Sequence, residues 1–132
     1  MLTLHTARLG YAGADALDVA LQSNLRRVEA GEVGGHRGVG ILFAPSPGLL
    51  YPYLTKRRHG TLTAADWTRY REAYENEMRA IYRRSRAPFD AVLAMGEVTL
   101  LCYCTDPTRC HRTVLAEVFA KLGADVRGER AT

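Results

Sequence analysis

The sequence predicts a small α/β domain, with a mainly parallel sheet of about four strands flanked by helices in a three-layer arrangement. Three observations carry this expectation. Short apolar runs of strand length alternate with stretches whose apolar residues recur at helical spacing. The run Thr99–Tyr103 passes almost at once into a helical stripe that ends near Leu122, giving a strand-to-helix junction. The chain has 132 residues and 47% hydrophobic content, which fits one core and one domain over residues 1–132.

Taken in order, Leu2–Leu9 alternates apolar and polar residues and predicts a first strand. Thr3 and His5 fall on one side, Leu2, Leu4 and Thr6 on the other, and Arg8 emerges near its carboxyl end. Leu17, Leu21, Leu25 and Val28 recur at helical spacing behind an Asp15 cap, and Gly31 stops that helix. The five glycines between Gly31 and Gly40 predict a loop, read as a connection rather than a lid. Val39–Ala44 predicts a second buried strand. Ser46 then caps a helix starting at Pro47, which Pro52 should kink or end after little more than one turn. The basic cluster Lys56, Arg57, Arg58 and His59 reads as a solvated helix end in preference to a phosphate grip.

Thr63 with Asp66 forms a variant capping box for a long helix whose stripe is Trp67, Tyr70, Tyr74, Met78 and Ile81. Glu75 and Arg79 suggest an i,i+4 pair on its other side. Its aromatics, Tyr82 included, read as core in preference to a base-stacking platform. Pro88–Met95 predicts a short helical or irregular link closed by Gly96. Beyond the central strand, Asp106 and Pro107 supply an N-cap and first residue for a helix with the stripe His111, Val114, Leu115, Val118, Phe119 and Leu122. Gly123 offers the C-cap, and Asp125–Arg127 a last short strand.

Composition narrows the function classes. The amino terminus lacks the charged start and apolar core of a signal peptide, and no run reaches the roughly 18 apolar residues of a membrane helix. A cytoplasmic protein with no membrane partner is expected. Three cysteines within nine residues suit metal or thiol chemistry in a reducing compartment better than a secreted disulfide scaffold. The net charge of +4 rests on 16 arginines and only two lysines, a mild bias toward anionic partners, with nucleic acid one of them.

The chemistry gathers where the central strand meets the following helix. A helix start presents free N–H groups and partial positive charge, so it attracts anions and favours a thiolate. Cys104 or Cys110 is therefore a candidate nucleophile with His111 as its acid-base partner, and Arg109 and Arg112 strengthen both effects. Arg8 and Ser46, from the other strand ends, complete the candidate ligand-binding set. The spacings from Cys104 and from Cys102 to Arg109 miss the five-residue cysteine-to-arginine loop of tyrosine phosphatases and rhodaneses, so that assignment fails. A second reading is zinc, with Cys104, Cys110 and His111 as ligands joined by Cys102 or His5, although no CxxC pair is present. A third treats Cys102 and Cys104 as small buried hydrophobes and His111 as a satisfied core histidine, which suits Cys102 best.

The TxR at Thr6–Arg8, FAPS at Phe43–Ser46, WxxYxxxYxxEM at Trp67–Met78, VTLLCYC at Val98–Cys104, CHR at Cys110–Arg112, and Leu115 with Ala116 follow one another through nearly the whole chain. In these the chain resembles the YeaO-like proteins, a conserved-hypothetical family of unknown function, and in its CHR it looks like the cysteine-bearing branch. The resemblance implies a compact three-layer α/β domain with the CHR segment at its site, and implies no activity, substrate or cofactor. The expected function is a small anion site, for phosphate or nucleotide, at the junction 104–112 with thiol-dependent catalysis. The alternatives are a non-enzymatic nucleic-acid or nucleotide binder and a structural metal-binding protein.

Overall fold

A computed structural model describes residues 1–8, 10–19, 40–102, 104 and 106–131. Four parallel strands lie in the order β2-β3-β1-β4, where β1 is Thr3–Arg8, β2 Ala16–Asp18, β3 Glu97–Cys102 and β4 Asp125–Glu129. The helices are α1 (Pro47–Arg58), α2 (Ala64–Arg84), α3 (Ala87–Leu93) and α4 (His111–Lys121), with 3-10 turns at Gly40–Phe43 and Pro107–Arg109.

Strand alternation decides which face is covered. Leu2, Leu4, Leu17, Val98 and Leu100 point to the face that buries Tyr74 and Met78 of α2, Phe89 and Val92 of α3, and Val114, Leu115 and Phe119 of α4. Phe43, Phe89 and Phe119 meet edge-on or tilted at the centre, with centroids 5.1–5.7 Å apart. The opposite face buries Ala7, Ala16 and Leu101 under Tyr11. Because every strand is parallel, Arg8, Asp18, Cys102 and Glu129 all sit at one carboxyl edge, and Arg8 lies in register beside Cys102.

Three local expectations are corrected. Residues 16–18 form β2, not the start of a helix: Thr99 Oγ1 and the Tyr11 hydroxyl donate to the Asp15 carboxylate at 2.6 and 2.8 Å, and Thr99 N donates to the Asp15 carbonyl. Those bonds draw the segment onto β3 and override the helical spacing that begins at Leu17. The rest of that expected helix, which would have supplied another layer, and the glycine loop lie outside the described residues. Where a strand was expected over 39–44, residues 40–43 form a 3-10 turn, and the Phe43 carbonyl accepts a 2.6 Å bond from the buried Tyr74 hydroxyl in place of a ladder partner. Pro52 does not end α1, which runs twelve residues to Arg58. The missing N–H removes one bond in the second turn, while Leu50 and Tyr53 on either side bury themselves against Tyr70.

Other expectations hold. Thr63 and Asp66 make the full reciprocal capping box of α2. Glu75, however, pairs with Arg71, and Arg79 bonds Asn76 instead. Gly123, at φ 103, closes α4 with N–H bonds from Gly123 to Ala120 and from Ala124 to Phe119, the Schellman arrangement that glycine accommodates best.

Candidate functional site

The site grows from the end of β3. Alternation along Val98, Leu100 and Cys102 aims the last side chain toward the helical layer, where it is 3% exposed. The chain then turns through Cys104 to Asp106, whose carboxylate accepts from the N–H and hydroxyl of Thr108 and fixes the 3-10 turn. Cys110 follows in extended conformation (φ −135, ψ 143) and breaks the expected continuous helix in two, so α4 begins at His111 rather than at Pro107. The Thr113 hydroxyl bridges the break by donating to the Pro107 carbonyl at 2.5 Å.

This break turns Cys110 inward beside the other two thiols. Cys102 Sγ lies 3.9 Å from Cys104 Sγ and 3.6 Å from His111 Nδ1, and Cys110 packs against Cys102 and Cys104. The Nε2 of His111 is 2.6 Å from the Val19 carbonyl, which can only accept, so the neutral ring carries its proton there and turns the Nδ1 lone pair to the thiols. Cys102, Cys110 and His111 are all buried, and their donor atoms lie within 4.8 Å of one another. Cys104 is the half-buried member, and Arg57 Nη1 from the end of α1 donates to its sulfur at 3.1 Å.

The electrostatics divide the three sulfurs. Hydrogen bonds from Cys102 and Cys110, with Arg57 alongside, hold the Cys104 thiol far below the usual range despite its burial. Its bond to Cys104, with burial, pushes Cys102 up to about 12, and burial drives Cys110 still higher. Of the three sulfurs, Cys104 is thus the one inclined toward the thiolate, with Cys102 and Arg57 donating to it. Burial opposes charge on His111, but Cys110 and the Val19 carbonyl outweigh it and raise its pKa.

Arg112 has a different task from the one expected. It is fully buried, grips Glu129 of β4 through Nε and Nη2 at 3.1 and 2.6 Å, and donates from Nη1 to the Cys104 carbonyl at 2.9 Å. It therefore ties the thiol loop to the sheet. Arg109 is exposed on the 3-10 turn, and Arg8 is exposed at the end of β1, adding positive charge near Glu129. Ser46 donates its N–H and hydroxyl to Glu77 on α2 rather than to the thiol cluster. The structure thus joins Cys104, Cys110 and His111, and adds Cys102, which sequence reasoning favoured as a plain buried residue, and Arg57, which it placed on a solvated helix end. Period-two alternation from Val98 could have revealed Cys102. No local signal reveals Arg57, which meets Cys104 across 47 residues.

One more group lies on the helix that carries Arg57, one turn before it. Tyr53 on α1 is 6% exposed, stacks on Tyr70 at 4.1 Å, and has a buried hydroxyl without a hydrogen-bond partner among the described residues. Burial, reinforced by negative charge on Cys104, raises its pKa to about 12, and Arg57 and Arg109 pull the other way.

Residues 40–123 match the model of a protein family described as the active DUF488-N3 subclade. No curated protein and no solved structure matches the chain.

Proposed function

We propose, on the premise that this chain belongs to the active DUF488-N3 subclade, that it carries out thiol-dependent catalysis on a small anionic substrate at the junction 104–112. Cys104 is the nucleophile. The observation that carries this reading is the 3.1 Å contact from Arg57 to the half-buried Cys104 sulfur, since a guanidinium there favours thiolate and attracts an anion at once. In the reaction the sulfur bonds to the electrophilic centre and the leaving group departs with the bonding pair. Cys110 and Cys102 donate hydrogen bonds to the resting thiolate, and His111 exchanges protons with them. Arg57 and Arg109 receive the anion, with Arg8 at the rim, while Arg112 holds the loop and Ser46 fixes the start of α1 through Glu77.

Alkylation by iodoacetamide tests this directly. Cys104 should be modified at a rate nearly constant from about pH 6 to 9, where an ordinary thiol accelerates about tenfold per unit. Cys104→Ser should abolish that fast phase. A wild-type protein whose thiols all accelerate together with pH removes the nucleophile.

A second reading rests on its own observation. A tetrahedral zinc ion, with bonds of about 2.3 Å to sulfur and 2.0–2.1 Å to nitrogen, sets its sulfurs about 3.8 Å apart and sulfur from nitrogen about 3.5 Å. The separations of 3.9 Å between Cys102 and Cys104 and 3.6 Å between Cys102 and His111 Nδ1 fit that figure, with the Val19 carbonyl orienting the ring from behind. Stoichiometric zinc in protein purified without chelator, lost in His111→Ala, favours this reading over the nucleophile. The nucleic-acid alternative has less support. Lys56 and Arg69 both pair with Asp66, and Arg71 pairs with Glu75 and Glu117, so acidic residues interrupt the basic surface of α1 and α2.

A further inference from the structure

The Tyr53 hydroxyl is a buried donor with nothing to donate to among the described residues. Leaving a hydroxyl unpaired away from water is unfavourable, so one kept in a native chain calls for a partner such as an ion or a ligand group. Its ring is fixed by the Tyr70 stack, with centroids 4.1 Å apart and planes at 21°. Tyr53 precedes Arg57 by one helical turn on α1, so the two share a face, and Arg57 on that face reaches Cys104.

We infer that the Tyr53 hydroxyl and the Arg57 guanidinium form an oxyanion pocket over Cys104, in which the phenol donates to one oxygen of a phosphate-class group. The inference rests on the thiolate reading of Cys104 and adds to it a ligand class and a residue outside the junction. Arginine alone supplies charge. The phenol adds a fixed direction, which orients a tetrahedral anion against the sulfur.

The test compares wild type with Tyr53→Phe, using inorganic phosphate as the probe at constant ionic strength set with potassium chloride. Iodoacetate alkylates Cys104 by forming a sulfur–carbon bond as iodide leaves with the bonding pair, and its carboxylate competes with phosphate for the pocket. Phosphate should protect wild-type Cys104, and Tyr53→Phe should need about tenfold more phosphate for half protection. The neutral reagent iodoacetamide should alkylate Cys104 equally fast in both proteins, which shows that thiolate and fold are intact. The variant should also melt no lower than wild type in phosphate-free buffer, since it loses an oxygen that bonds to nothing. Equal protection in the two proteins overturns the pocket and leaves the thiolate reading standing. A wild-type Cys104 unreactive to both reagents defeats that reading and the pocket with it. Nucleoside monophosphate and a short oligonucleotide, used in place of phosphate, distinguish a small ester from a nucleic-acid backbone. Tyr53-dependent protection by either supports the pocket.

Discussion

At the scale of single residues, Arg112 shows how a charge can be structural in the middle of a reactive site. It is fully buried and spends three of its donors on Glu129 and the Cys104 carbonyl. Arg112→Met should therefore cost about 3 kcal/mol, read as a shift in denaturant midpoint at unchanged slope, and should loosen the thiol loop enough to slow Cys104 alkylation. Tyr74 makes the opposite contrast with Tyr53. Its buried hydroxyl has a partner, the Phe43 carbonyl at 2.6 Å, so Tyr74→Phe should destabilise by about 1–3 kcal/mol where Tyr53→Phe does not. Cys104, Cys110 and His111 were legible in sequence because they lie within eight residues, whereas Cys102 reads as a plain buried residue of the strand. Arg57 and Tyr53 were not, because only the docking of α1 on α2 brings them across from the first half of the chain.

Two elements that announce themselves by local chemistry hold, while the Asp106–Pro107 cap starts only a 3-10 turn. The Thr63–Asp66 box and Gly123 act within a few residues, so nothing remote can overrule them. The failures came where remote bonds decide: Asp15 is taken by Thr99 and becomes part of a strand edge, and Phe43 is taken by Tyr74 and becomes a turn. Pro52 failed in the other direction, since its local penalty is outweighed by the burial of Tyr53 and Leu50. Pro52→Ala, at an exposed position, should accordingly stabilise α1, by up to about 3 kcal/mol, with a matching rise in melting temperature. Gly123→Ala should lower stability by about 1 kcal/mol, because φ 103 strains any side chain there.

For the whole molecule, the α/β class was legible because alternation of period two and of helical period survives errors at individual segments. The helices α2, α3 and α4 were expected close to where they stand, and β2 replaces residues 39–44 as the fourth strand without changing the class. The site also gives the molecule a pH profile. Glu129, held low by Arg112 and Thr6 despite burial, binds a proton more readily unfolded than folded, so its contribution is present above the ordinary carboxylate range and is lost as pH falls. Cys102 has the reverse sign: between the ordinary thiol value of 9.0 and about 12 the unfolded chain gives up a proton that the folded one keeps, so stability falls as pH rises through that window. Denaturant midpoints measured from pH 9 upward should decline, and the decline should be shallower in Cys102→Ser. The register of the sheet has a consequence for synthesis. Thr3 pairs with Glu97 on one side and Asp125 on the other, so the centre of the sheet is made first and its neighbours last. At about 5–20 residues per second, β1 is made roughly 5–20 s before β3 and β4, the two strands that pair with it, so its backbone waits that long for its ladder partners.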